Sequence, residues 1–373
     1  MLHPLIQTLE KPAAITMWDF SWLERRWPGA GYEDWGRALD ELKERGYDAI
    51  RIDAYPHLVH ADADKEWLLV PTWNQQTWGA PANIKVSPWP ALAEFIEICA
   101  RKDIKVALSS WFRGDEHDIR LNISTPQTMA DLWMGVLDRL DAAGLLDSIL
   151  YVDLCNEFPI PVWLPSYTHN MAPGADPFDW WSEAPGDFMN ASIEPLREKY
   201  PALPFCYSFV TGEEKMADFD ASYHDLIDIH IWMAGANNRE FYRRVGYDFQ
   251  PFDPAGYDNL AKRGEAIYRA DEDYWLKLQA DSIQYAADWS VKIDRPLCTT
   301  EGWSVVDYKD WPMLDWGWVK ELTVQGVETA VDTGRWFAIC TSNFCGPQFV
   351  GMWRDVDYHQ RLTSRIHAGA LPD

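Results

Sequence analysis

The chain has 373 residues, 47% hydrophobic and 24% charged, a composition that excludes a disordered protein and allows a sizeable core. Its formal net charge of -25 argues against nucleic acid or an anionic membrane as partner, because both require basic patches. No apolar run approaches the roughly 20 residues that span a bilayer.

The N-terminus, "MLHPLIQTLEKPAAITMWDF", lacks a basic stretch followed by a long apolar one, and a cytoplasmic protein is expected. From there, apolar strand candidates alternate with amphipathic helix candidates. "AAITMWDF" precedes a helix in "YEDWGRALDELKERG", where Trp35, Leu39 and Leu42 fall at helical spacing and Gly46 ends the pattern. "DAIRIDA" precedes "WPALAEFIEICARKD", and "IKVALSSWF" precedes "TPQTMADLWMGVLDRLDAAG". "SILYVDLCNE" leads to a helix over residues 184–200, "PFCYSFV" to one in "EEKMADFDASYH", and "LIDIHIW" to a long helical stretch ending near Ser290. "PLCTTEGW" precedes "WGWVKELTVQGVETAVDTG", and "RWFAICTSNF" precedes a short C-terminal helix over residues 357–367.

Strands apolar on both faces belong in a parallel sheet covered on both sides. Eight strand–helix units in this length predict an α/β fold, a (β/α)8 TIM barrel forming a single domain over residues 1–373. A doubly wound open sheet is disfavoured, because no Gly-rich phosphate turn follows the first strand. The longest insertions are expected after the fourth strand (158–183) and the sixth (233–257), at the end of the barrel where active-site walls are built. The six Cys form no C-x-x-C pair, and several sit in apolar runs as small hydrophobes. The 22 Trp, many beside Asp, Asn, Pro or Gly, suggest platforms for sugar rings, although a single Trp equally well anchors a loop.

Chemistry in such a barrel stands at the C-terminal strand ends. The first ends in Trp18 and Asp19, and the second carries Arg51 and Asp53, with His57 following. Trp111 ends the third, and Asn156 and Glu157 the fourth. The sixth offers His230 and Trp232, the seventh Glu301 and Trp303, and Trp353 follows the eighth. Two carboxylates at matching positions, Glu157 and Glu301, suit cleavage of a glycosidic bond, in which one is protonated and the other ionised. Arg51, a charge in an apolar strand, requires a buried partner: Glu301, Asp153, or Asp53 in a purely structural pair. His230 is a site residue or a satisfied core histidine. Asp19 and His57 are candidate sugar contacts, and Trp18, Trp111, Trp303 and Trp353 are platforms or scaffold.

"NE" closing the fourth strand, Glu closing the seventh, Arg on the second and H-x-aromatic on the sixth resemble the clan A glycoside hydrolases, especially their cellulase-like branches, over residues 15–367. That resemblance implies a retaining hydrolase of a β-linked oligosaccharide, with Glu157 as acid/base and Glu301 as nucleophile. It also implies Asn156, Arg51 and His230 as hydrogen-bonding partners, no cofactor and no metal. Trp232 departs from the pattern, standing where many members carry a Tyr, and "SSWF" lacks a His common in cellulases. Two other readings remain: a metal-dependent sugar isomerase using Glu157, Asp228, His230 and Glu301, and a catalytically silent sugar-binding barrel. Composition and spacing leave the oligomeric state open.

Overall fold

The computed structural model describes residues 2–72, 78–171, 180–211, 213–248, 254–308 and 314–372. Each of the eight apolar runs forms a strand: β1 (Ala13–Asp19), β2 (Ala49–Asp53), β3 (Lys105–Ser109), β4 (Ile149–Asp153), β5 in two pieces (Phe205–Cys206 and Ser208–Val210), β6 (Ile227–His230), β7 (Leu297–Thr299) and β8 (Trp336–Cys340). Their residues are buried throughout, except the exposed Lys105 and half-buried Val210. Both faces are therefore covered, as continuous apolar runs require.

All pairings in this sheet are parallel, in the order β5(first piece)–β4–β3–β2–β1–β8–β7–β6–β5(second piece). The two end pieces are consecutive in the chain, separated by Tyr207 alone, so the sheet closes into the expected α/β TIM barrel. Helices surround it. The helix Trp35–Glu44 buries Trp35, Ala38, Leu39 and Leu42 and is capped by the Asp34 side chain, which accepts the Arg37 N–H. Inside the barrel, an apolar cluster including Ile15, Ala107, Tyr151 and Phe337 fills the end where the strands begin. Ile6, from the short helix Pro4–Gln7, joins it from below.

Two features differ from the sequence expectation. The helix predicted in "EEKMADFDASYH" is the single turn Glu213–Met216. Asp220 instead accepts the Ser222 N–H, the local side-chain bond with which Asp and Ser compete against helix formation. The longest insertion follows the second strand and not the fourth or sixth as expected: it spans 54–87, of which 73–77 lie outside the described residues, and carries the helix Pro56–Ala61 and an antiparallel ribbon of Trp67–Leu69 with Ile84–Val86. Its strands are too short to carry a readable period. Parts of the expected insertions, 172–179 and 249–253, lie outside the described residues. All six Cys are free and buried, and among the described residues no helix is long and apolar enough to cross a membrane.

Candidate active site

At the mouth of the barrel the strands give way to tight turns, and several non-glycine residues there take left-handed backbone conformations: Asp19 (φ 40°), Tyr55 (49°), Phe112 (38°), Glu157 (47°) and Ser304 (57°). Such positions cost on the order of 1–3 kcal/mol each and persist only where neighbours hold them. Glu157 is held by its N–H, which donates to Ser208 Oγ at 2.9 Å, while the Asn156 N–H donates to Ser110 O at 2.9 Å. The regular strand β4 ends at Asp153, so Asn156 and Glu157 lie just beyond it, as Glu301 lies beyond β7. A cis peptide follows closely after each carboxylate, at Phe158–Pro159 and Gly302–Trp303.

Beneath the mouth lies a buried charge cluster centred on Arg51, whose side chain is wholly inaccessible. Its Nη1 donates to Glu301 Oε1 at 3.1 Å and Thr300 Oγ1 at 3.1 Å. Its Nη2 donates to Asp153 Oδ2, Asn156 Oδ1 (2.8 Å), Ser109 Oγ (3.0 Å) and Ser208 Oγ (3.2 Å). Asp228 Oδ2 stands 3.7 Å from Nε. The partners are thus Asp153, Asp228 and Glu301. Asp53 instead accepts the backbone N–H groups of Tyr55 and Trp111, at 2.7 and 3.0 Å, which corrects the structural pair considered from the sequence.

One oxygen each of Glu157 and Glu301 and a ring nitrogen of His230 lie within 4.8 Å of one another. His230 Nδ1 is 2.9 Å from Glu157 Oε1 and 3.8 Å from Glu301 Oε1. Burial pushes Glu301 up to about 7; His230 opposes this, the Glu157 charge adds to it, and Arg51 opposes it. Arg51 therefore does not hold Glu301 in the ordinary carboxylate range, because the burial of the carboxyl outweighs its charge. Burial works to lower His230, but the Glu301 charge, the Glu157 hydrogen bond and Asp228 outweigh it and raise its pKa. Asp19 is raised well above the usual carboxylate value by burial, against its Ser21 bonds and with the charges of Glu24 and Glu301.

A cavity of about 190 Å³ opens over this cluster. Asp19, Trp111, Asn156, Glu157, Trp232 and Glu301 line it, and Arg51 and His230 sit against its floor through their bonds to Glu301 and Glu157. Four expected contacts lie elsewhere. Trp18, adjacent to Asp19 and on the other face of the strand, donates its Nε1–H to Cys345 O. Trp303 packs on Gly326 and Trp336 and bonds Cys340 O. Trp353 bonds Glu41, with the Arg45 guanidinium 4.2 Å from its ring centroid. His57, which burial lowers to about 4, lies with Nε2 2.9 Å from Arg113 O. These four are packed into the scaffold because each indole or imidazole finds its partner within the protein.

The cavity also takes in Trp78, Trp163, Trp180 and Asp307, none of which the sequence pattern singles out. They come from segments between strands and helices that carry no periodicity. Asp153 and Asp228, by contrast, carried the signal that marked Arg51, a charge inside an apolar strand. Glu157, His230 and Glu301 are also the one group among the described residues arranged to hold a metal ion.

A closed barrel with two carboxylates facing one cavity at its C-terminal mouth is an architecture suited to carbohydrate chemistry. The profile of the family described as sugar-binding cellulase-like matches residues 15–367, and the chain belongs to that family. The chain is similar, at 51% identity and a TM-score of 0.94, to a crystal structure from Parabacteroides distasonis provisionally named a glycoside hydrolase, over 97% of this chain and 95% of that one. A cellulase–inhibitor complex shares the fold at 11% identity and a TM-score of 0.51, over 94% of this chain and 92% of that one. No curated protein matches the sequence.

Proposed function

We propose that the protein is a retaining glycoside hydrolase acting on a β-linked sugar, with Glu157 as acid/base and Glu301 as nucleophile. The observation that carries this reading is that one oxygen of Glu157 and one of Glu301 lie within 4.8 Å of each other on one cavity, which supports the shorter of two carboxyl spacings. Retaining enzymes keep the pair about 5–5.5 Å apart, whereas inverting ones leave about 6.5–9.5 Å for a water. In the first step the glycosidic C–O bond breaks, Glu157 gives its proton to the departing oxygen, and ionised Glu301 bonds the anomeric carbon. In the second, water attacks that carbon, Glu157 takes its proton, and Glu301 is released. Arg51 orients Glu301 through its 3.1 Å bond, and His230 orients Glu157. Asn156, whose Oδ1 accepts from Arg51, is positioned for the hydroxyl beside the anomeric carbon. Asp19, Trp111 and Trp232 complete the sugar-contacting wall.

Glu157→Gln and Glu301→Gln are each expected to reduce hydrolysis of a matched aryl glycoside by orders of magnitude. Near-wild-type turnover in either variant would sink the assignment. Azide should rescue Glu301→Gly as a glycosyl azide of inverted configuration relative to the substrate, separating nucleophile from acid/base. The Glu157–His230–Glu301 arrangement supports a second reading, a metal-dependent isomerase. Asp228 weighs against it: the fourth ligand expected there is turned to Arg51, Tyr151 and Thr300. Loss of activity on exhaustive chelation, restored by a divalent ion, would favour it.

A further inference from the structure

The polar groups of the cavity are unevenly placed. Among the described residues its carboxylates other than Glu157 come from the β1 and β7 ends, Asp19, Glu301 and Asp307, and Arg239 with Tyr242, Tyr247 and Tyr257 adds polar groups from beyond β6. Asp19 is almost wholly buried, and its Oδ2 has no hydrogen-bond partner among the described residues, so it suits a sugar hydroxyl. The sector next to Glu157 is different. Ile160, Val162, Trp163 and Trp180 from the insertion after β4, with Val210 at the end of β5, form its wall. None of these side chains offers a hydroxyl, carboxylate or amide, and the indole N–H groups are their only polar atoms. The loop is held in place: the Ile160 N–H donates to Glu157 O at 2.9 Å, the Trp163 N–H to Ile160 O at 3.0 Å, and Arg120 Nη1 to Val162 O at 2.8 Å. Val162 is nevertheless 39% exposed, an aliphatic side chain fixed at the edge of the cavity without being covered.

We infer that the leaving-group side of the cavity accepts an apolar aglycone, an alkyl or aryl group rather than a second sugar, with Ile160, Val162, Trp163 and Val210 as its wall. The inference rests on Glu157 being the acid, because the group that departs with the glycosidic oxygen must lie beside the residue that protonates it. A sugar in that position would bring most of its hydroxyls against Ile160, Val162 and Val210, which cannot bond them, with only indole N–H donors nearby, and unpaired polar groups are costly to desolvate. An alkyl chain gains from the same surface in proportion to the apolar area it covers. The polar groups from β1, from beyond β6 and from β7 then hold the sugar that stays with the enzyme.

The test pairs hexyl β-glucoside with cellobiose, hexyl β-galactoside with lactose, and hexyl β-mannoside with β-1,4-mannobiose. Each pair shares a glycone, and the alkanol is no better a leaving group than a sugar hydroxyl. For the accepted glycone, kcat/KM on the hexyl glycoside should exceed that on the disaccharide at least tenfold. Val162→Asn and Ile160→Asn should each shrink that ratio at least fivefold; Val162, being exposed, can be replaced without endangering the fold. A disaccharide turned over as well as its hexyl counterpart, or a ratio unmoved in both variants, overturns the inference while leaving hydrolysis intact. If no glycoside is turned over, the hydrolase reading falls, and calorimetric titration of the same pairs into the wild-type protein decides about the wall. Tenfold tighter binding of a hexyl glycoside, lost in Val162→Asn, upholds it; equal or undetectable binding of both members overturns it.

Discussion

Glu301 combines two demands that pull in opposite directions. It must be ionised to attack, yet burial and then the Glu157 charge, against His230 and Arg51, push it up to about 7. With an activated aryl glycoside, which needs no proton from the enzyme, kcat/KM is therefore expected to fall as pH drops below about 7, well above the ordinary carboxylate range. Glu157→Gln removes one raising charge, so the limb should move to lower pH; an unmoved limb would show that the two groups do not influence one another. A second residue makes a different point. His224 is fully buried near Tyr207, Phe209 and Tyr223, and neither ring nitrogen has a hydrogen-bond partner among the described residues. Burial, with the charges of Arg197 and Arg295, lowers it from 6.5 to about 3. The unfolded chain thus takes up this proton first, and the contribution to stability is lost as pH falls from about 6.5 toward 3. His224→Phe should raise stability by about 1–3 kcal/mol at neutral pH by removing an unpaired polar group. Its advantage over wild type should grow below pH 6.5 in urea titrations.

Among the elements, the insertion of residues 54–87 shows how a segment without a readable pattern is fixed in place. Glu24, on the helix Ser21–Glu24 after β1, is wholly buried and receives Arg113 Nε at 2.7 Å and Nη2 at 3.1 Å. It also accepts the Ala80 N–H at 3.1 Å, and Gly79 N–H donates to Ser21 Oγ at 2.8 Å. Gly79 has φ 64°, and a Cβ there would meet Phe20 at 2.5 Å, so only glycine allows this approach. Trp78 is thereby brought to the cavity. Arg113→Met leaves a buried carboxylate without its cation and should cost about 3–5 kcal/mol in urea unfolding. The double variant Glu24→Gln with Arg113→Met should recover part of that loss; full additivity would mean the pair does not interact. The eight strands were legible because burial on both faces forces a continuous apolar run. This insertion and the shortened turn at Glu213–Met216 were not, because distant or side-chain contacts place them.

Across the molecule, Arg51 ties the barrel together. From β2 it reaches Ser109 on β3, Asp153 and Asn156 at β4, Ser208 on β5, Asp228 on β6, and Thr300 and Glu301 at β7. Arg51→Met would strand several buried carboxylates at once, and a loss of at least about 3–5 kcal/mol is expected by urea unfolding. Arg51→Lys should fail to restore it, since one ammonium cannot reproduce a planar fork serving both Glu301 and Asp153. A Lys variant as stable as wild type would reduce the hub to simple charge balance.

Strand number, barrel class and the placing of Glu157 and Glu301 at strand ends could all be read from residues adjacent in the chain. Each rests on local burial, which leaves its period and its polar interruptions in the sequence itself. The choice of Asp153, Asp228 and Glu301 over the nearby Asp53 as partners for Arg51 could not be read in this way. Nor could the selection of Trp78, Trp163 and Trp180 for the cavity while Trp18, Trp303 and Trp353 pack into the scaffold. Those outcomes depend on which side chains converge after the barrel has closed. An indole faces a ligand or a backbone carbonyl according to neighbours tens or hundreds of residues away, and no local pattern records that distance.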